Sequence, residues 1–265
     1  MTAQTGNQPH TRALFVGHGS PMNAIEDNDF TRTWATLGSE VTPRAIVSVS
    51  AHWFTRGTGV TAMAHPETIH DFYGFPPELE AVQYNAPGDE EIAALVTDAA
   101  KPTEVIADHN WGLDHGTWSV LKHMYPNADI PVVQLSIDGT QPLSYHVALG
   151  NRLAKLATDY NVLIVGSGNV VHNLGMVQWH AGNTGFDWAD DFDTTAIDIM
   201  LNDPDRLETL AEHPAFNLAV PTPDHFLPLA YIAGVSAGLG KTDITQFNDQ
   251  RTMGSLSMTG FAVRA

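Results

Sequence analysis

Thirteen histidines stand in this chain of 265 residues, against twelve lysines and arginines together, and three of them share one setting. His18 follows the apolar run Ala13-Leu-Phe-Val16, His52 follows Ala45-Ile-Val-Ser-Val-Ser50, and His172 follows Val162-Leu-Ile-Val165. Each setting is a continuous apolar run, a turn of small residues and then an imidazole. A neutral imidazole ligates zinc or iron(II), and its proton exchanges near neutral pH. The chain has no cysteine, which removes disulfides, thiolate metal cages, iron–sulfur clusters and a thiol nucleophile. A metal here must sit on His, Asp or Glu, and without thiolates an open reactive site is expected rather than a closed structural one.

Two more histidines have chemical settings. His225 lies in Pro221-Thr-Pro-Asp-His225-Phe-Leu-Pro228 and opens an apolar helix, with Asp224 read alternatively as a plain helix cap. His115, in Trp111-Gly-Leu-Asp-His-Gly116, also stands at a helix entrance. There the helix dipole lowers an imidazole pKa; the alternative is a turn residue. The loop His70-Asp-Phe-Tyr-Gly-Phe-Pro-Pro77 reads either as a wall for a flat ring or as ordinary loop packing, and Trp179-His180 is equally open. The remaining histidines, at 10, 65, 109, 123, 146 and 213, read as surface or core groups.

The elements that position these residues follow from hydrophobic periodicity. The three apolar runs are strands covered on both faces, as in a parallel sheet with helices above and below. Further strands are expected over residues 131–137 and 255–263. Helices are expected over residues 89–100, 143–160, 188–201 and 225–237, where apolar side chains recur at helical spacing. Strands alternating with helices predict a single α/β domain with a central, mostly parallel or mixed sheet flanked by helices, over residues 13–265, preceded by a flexible polar tail over 1–12. In such sheets the ligand crevice lies beyond the carboxyl ends of the strands. His18, His52 and His172 all occupy that position.

Two catalytic patterns fail on context. Gly234-Val-Ser236-Ala-Gly238 matches a serine-hydrolase nucleophile elbow, yet it continues an apolar helical run instead of turning from strand to helix. The stretch from Gly234 to Thr242 approaches a phosphate loop but has one residue too many between its glycines and no preceding strand.

The formal charge of −18 argues against nucleic acid and anionic membrane surfaces, which are held by dense Lys/Arg patches. No apolar stretch approaches the roughly 20 residues of a membrane span, and residues 1–12 lack the apolar centre of a secretory signal. A cytoplasmic protein is expected.

Taken together, Gly17-His-Gly-Ser-Pro-Met22, Ser50-Ala-His-Trp53, Trp111-Gly-Leu-Asp-His-Gly116, Ser167-Gly-Asn-Val-Val-His-Asn173, Thr222-Pro-Asp-His225 and Gly254-Ser-Leu-Ser-Met258 resemble the class III extradiol ring-cleavage dioxygenases, in the branch named for DOPA 4,5-dioxygenase. The resemblance spans nearly the whole chain, in order. It implies one mononuclear metal, Fe(II) for catalysis, with Zn(II) able to occupy the same site. The positions matching metal ligands are His18, His52 and His225. His172 matches either a fourth ligand or an acid/base, and His115 is expected to be the second-sphere acid/base. Protocatechuate-type relatives carry a glutamate where this chain has His225, so the anionic ligand is replaced by a neutral one.

The implied reaction joins a small aromatic diol and O2 to give a muconic semialdehyde, with no second type of subunit. The diol is DOPA-like, caffeate-like or a smaller catechol. Trp53, Phe72, Tyr73 and Phe75 are candidate ring contacts, and Asn169 and Asn173 candidate orienting groups. Two other readings compete: a zinc hydrolase using Asp114 or Asp224 as base, and a metal- or aromatic-binding protein without turnover.

Overall fold

The computed structural model describes residues 10–265 other than Lys241. Six strands form the central sheet: β1 (Thr11–Gly17), β2 (Ala45–Ser50), β3 (Val132–Gln134), β4 (Val162–Gly168), β5 (Asp243–Phe247) and β6 (Gly260–Arg264). Their order across the sheet is β3-β2-β4-β1-β6-β5. The first four run parallel, while β6 pairs antiparallel with both β1 and β5. The sheet is therefore mixed, in a single α/β domain.

Side chains alternate across a strand, and here that alternation sorts the apolar runs into two cores. Ala13, Phe15, Val47, Val49 and Ile164 face one layer, built with helices α2 (Glu90–Ala100), α4 (Leu143–Asp159), α5 (Asp187–Asn202) and α6 (Leu227–Leu239). Leu14, Val16, Ile46, Leu163 and Val165 face the other, built with α1 (Asp29–Glu40) and α3 (His115–Met124). The continuous apolar runs 13–16 of β1 and 162–165 of β4 are thus explained by burial on both faces. The fully buried Trp34 and Trp118 anchor the second layer, where truncating such a side chain to Ala costs about 3–5 kcal/mol.

Helix α6 is buried almost all round and packs along α4. A Cβ on Gly234 would overlap the backbone oxygen of Val147, so the glycine of the elbow-like string serves close helix approach. Ser236 lies within that helix, its hydroxyl 2.8 Å from Thr242 Oγ1. It is no nucleophile elbow.

The structure revises several expected boundaries. Thr11 and Arg12, expected in the tail, already belong to β1, and Thr11 pairs with Arg264; residues 1–9 lie outside the described residues. The expected strand over 131–137 is split. Leu135 and Ser136 turn to donate to Ser48 O (2.9 Å) and Gly59 O (2.8 Å), and Ile137–Asp138 pairs with Phe54–Thr55 instead. The expected strand over 255–263 is likewise divided into Leu256–Ser257 and β6. Edge strand β5 escaped the periodicity because it is only half-buried, and α1 because its start is set by a capping box between Asn28 and Thr31 rather than by an apolar run. No helix among the described residues is long and apolar enough to cross a membrane.

Candidate active site

Strands β2, β4 and β1 lie side by side, with Ser50 level with Ser167 and Gly17 level with Gly168. Beyond their carboxyl ends Ala51 donates to Ser167 O (2.9 Å) and His18 to Gly168 O (3.0 Å). The chains on either side of β4 thus leave the sheet at one level, and their histidines converge. His18 Nε2 and His52 Nε2 are 3.2 Å apart. The end of β4 also holds the His225 segment, since Asn169 donates to His225 O (2.8 Å). His225 stands 5.3 Å from His18 and 5.0 Å from His52, centroid to centroid. His172 stacks on it in parallel, 3.5 Å away. His115, the first residue of α3, lies 3.9 Å from the His52 ring.

Hydrogen bonds at the far nitrogens decide which nitrogen of each ring is free. Ser167 Oγ donates to Gly116 O (2.5 Å), so it accepts from His18 Nδ1 (2.9 Å). His225 Nδ1 donates to Asp224 Oδ2, and Asp71 Oδ2 lies 3.0 Å from His52 Nδ1, an ion-pair contact that favours the proton on that nitrogen. In all three rings the proton is fixed at Nδ1 and Nε2 carries the lone pair, the arrangement in which outer partners orient metal-bound histidines. Two lone pairs 3.2 Å apart require a positive charge between them, either a proton or a metal ion. Nitrogen ligands at about 2.0–2.1 Å from one ion stand about 2.8–3.4 Å apart for angles between 90° and tetrahedral, a range that includes the observed 3.2 Å. The residues present therefore fit a mononuclear metal. Among the described residues, His18, His52 and His115 form a set of three donors whose ligating atoms lie within 4.8 Å of one another.

Electrostatics favour the neutral form at four of the five rings. Burial holds His18 well below the usual imidazole range, helped by the neighbouring rings. It takes His172 to about 2, and His225 to about 4 against the opposing pull of Asp224. His115 is lowered by burial, with Asp71 opposing. His52 goes the other way: burial depresses it, but Asp71 and Asp114 outweigh burial and raise it. Asp71 is itself held well below the carboxylate range, since its contacts with His115 and His52 outweigh its burial.

The rings open into a cavity of about 490 Å³, walled by Phe72, Tyr73 and Phe75 on one loop and by Leu174 and Trp179 on another. Tyr73 and Trp179 are the exposed rim, at 93% and 74%. Trp53, expected as a ring contact, is buried and stacks on Trp111 with centroids 5.7 Å apart. It is not among the lining residues, because a tryptophan this apolar finds a stacking partner inside the fold. Asn169 and Asn173 donate to Ser257 O and Leu218 O, bracing loops behind the site. Asp224 does not cap α6, whose cap position is Phe226.

Asp114, offered as a hydrolytic base, is fully buried and committed. It accepts from Ser50 (2.6 Å), Gln134 (2.7 Å) and the Thr117 N–H that opens α3. Asp224 is committed to His225, so neither carboxylate is free to activate water. The carboxylate the sequence reading passed over is Asp71. It sat inside the loop singled out for its aromatics, and an acidic residue amid aromatic ones was the available signal. Of the other histidines, His70 and His123 contact backbone oxygens, of Val82 and Asn23, and His146 is fully buried beside Tyr231.

This fold and histidine-lined crevice are those of the aromatic ring-opening dioxygenases. The model of the catalytic LigB subunit of aromatic ring-opening dioxygenase matches residues 8–259, and the chain belongs to that family. It is 48% identical over 252 residues to the 4,5-DOPA dioxygenase extradiol of Escherichia coli (strain K12), covering 93% of this chain and 92% of that one. To the 4,5-DOPA dioxygenase extradiol of Beta vulgaris it is 36% identical over 247 residues, covering 87% and 89%. The crystal structure of the uncharacterized Escherichia coli K12 protein JW3007 matches with a TM-score of 0.81 and 42% identity, over 96% of this chain and 99% of that one.

Proposed function

We propose that this enzyme opens the ring of a small catechol with O2 at one metal ion held by His18, His52 and His225, with His172 completing the set, to give a muconic semialdehyde. The observation that carries this is the convergence of imidazoles, the Nε2 atoms of His18 and His52 foremost, at the floor of an aromatic-walled cavity. The family and its DOPA-named relatives support a DOPA-like diol. Iron(II) bound there supplies a redox-active centre for diol and dioxygen, whereas zinc(II), with no accessible redox change, supplies only binding.

The chain's own residues do the rest. Ser167, Asp71 and Asp224 fix the rings so that donor atoms need not reorganise. His115, held neutral by burial and facing the cavity, takes the diol proton and returns one to the opening ring. Phe72 and Phe75 shield the diol ring from water, and Tyr73 covers the mouth. We further assign the enzyme to the cytoplasm and expect it to work without a second type of subunit; gel filtration at a mass that requires a different polypeptide would contradict the latter.

The test is anaerobic reconstitution of metal-free protein with Fe(II) or with Zn(II), then addition of DOPA, caffeate and protocatechuate in air. Oxygen uptake with a new long-wavelength absorbance for Fe(II) alone is expected. His225→Gln should lose metal, and His115→Gln should keep metal but lose turnover by about 10²–10⁴-fold. Silence of the iron-loaded protein toward every catechol overturns the activity, and the reverse behaviour of the two variants overturns the residue roles.

A further inference from the structure

Asp71 touches two histidines with two oxygens. Its Oδ2 lies 3.0 Å from His52 Nδ1 as an ion-pair partner. Its Oδ1 accepts the His115 backbone N–H at 2.9 Å and lies 2.9 Å from His115 Nδ1, out of hydrogen-bond alignment with that ring nitrogen. The carboxylate belongs to neither strand nor helix. It sits on the aromatic loop, which is pinned beside it by Ile69, whose N–H donates to Leu113 O (2.7 Å) and whose oxygen accepts from Trp118 Nε1 (2.8 Å). The next residue, Phe72, is buried edge-on against the His115 ring at 5.5 Å and packs on Phe75 at 5.3 Å. One side chain therefore meets a histidine of the metal set, the proton-transfer histidine and the wall of the cavity.

We propose that Asp71 is a positioning residue that couples these three parts. It fixes the proton of His52 at Nδ1, leaving Nε2 for the metal. It holds the start of α3 and the His115 ring at a set distance from that metal, and it seats the aromatic loop across the cavity. The proposal rests on the reading that His52 is a ligand and His115 the acid/base. The physical ground is that a ring with a free Nδ1 samples both tautomers and rotates, whereas a carboxylate partner removes both freedoms. Losing such outer partners typically lowers metal affinity or activity by 10–100-fold.

The experiment compares Asp71→Ala and Asp71→Asn with the wild type. Zinc affinity is read by competition with a chromophoric chelator, and kcat and KM for a catechol on protein saturated with Fe(II). Both Asp71 variants are expected to bind zinc about 10–100-fold more weakly. Even at saturating iron they should keep a kcat at least about tenfold low and a raised KM. Circular dichroism checks folding, and the near-isosteric Asn variant decides the matter if the Ala variant does not fold.

Zinc affinity within about twofold of the wild type for Asp71→Asn overturns the proposal. So does full recovery of kcat at saturating iron, which would leave Asp71 serving His52 alone. If His52→Gln leaves zinc affinity unchanged, the underlying ligand reading fails instead. If the wild type consumes no oxygen with any catechol, the proposed activity falls, while zinc competition still decides whether Asp71 positions His52.

Discussion

His18 and His52 meet Nε2 to Nε2 across 3.2 Å while their Nδ1 atoms are held from behind by Ser167 and Asp71. The rings cannot turn away from one another without stranding a buried N–H. The folded chain therefore holds a strained pair of donors that a cation relieves, and the unfolded chain does not. Metal binding is folding energy for such a site. At free metal 100-fold above Kd the stabilisation is about 2.7 kcal/mol, which for a chain of this size is about 5–10 °C in Tm. Scanning calorimetry after chelation and after return of zinc should show that fall and recovery, and an unmoved Tm would refute a shared cation.

Ser167 has no freedom to spare, since its hydroxyl is spent between the His18 ring and Gly116 O. In Ser167→Ala the His18 Nδ1–H is buried without a partner, at a cost of about 1–3 kcal/mol. The urea midpoint should drop accordingly, with no change in the slope of unfolding. A variant as stable as the wild type would mean that water replaces the hydroxyl.

Gly116 leaves the space into which the site is folded. A Cβ there would overlap Ser50 Oγ and stand 2.9 Å from His52 Cδ2. Neither neighbour can yield freely, because Ser50 is bound to the buried Asp114 and His52 to Asp71. Gly116→Ala is expected to lose about 1–3 kcal/mol and to displace His52, so that zinc affinity falls together with stability. Chelator competition beside urea unfolding checks both, and unchanged zinc affinity would show that the strain is absorbed elsewhere.

His146 makes stability depend on pH at a place remote from catalysis. It is fully buried between α4 and α6, 3.1 Å from Tyr231 Oη, and burial lowers it to about 4 against weaker opposing contacts from Gln141 and Asp138. An unfolded histidine titrates near 6.5. Below that pH the unfolded chain takes up a proton that the folded one refuses, so the stability is present above about 6.5 and is lost as pH falls toward 4. About 2 kcal/mol of the loss lies between pH 7.5 and 5. Urea unfolding at those two values should show the wild type losing that much more than His146→Leu, and equal losses would sink the assignment.

Much of the architecture was legible because its causes are local. Largely apolar runs at residues 13–16, 45–50 and 162–165 belong to strands buried on both faces, and periodic faces over 89–100 and 143–160 to helices against them. Placing His18, His52 and His172 just beyond strand ends followed from the same runs. Where local patterning was absent, the reading failed. Strand β5 lies on an edge and is half-exposed, and α1 starts on a side-chain cap rather than an apolar stripe.

The sequence by itself determined which groups were available: imidazoles without thiolates, placed at loop entrances of an α/β sheet, in strings that resemble one enzyme family. Tertiary structure decided what each group does, because its partners lie far along the chain. Strand order β3-β2-β4-β1 puts residues 18 and 52 on either side of one strand. That order is a non-local pairing which no window of residues contains. The same pairing spends Asp114 on Ser50 and Gln134 and sends Trp53 to Trp111 instead of the cavity. It also brings Asp71, 44 residues before His115, against both His115 and His52. A side chain's chemistry is intrinsic, but its protonation, orientation and access depend on neighbours, and only the folded chain supplies them.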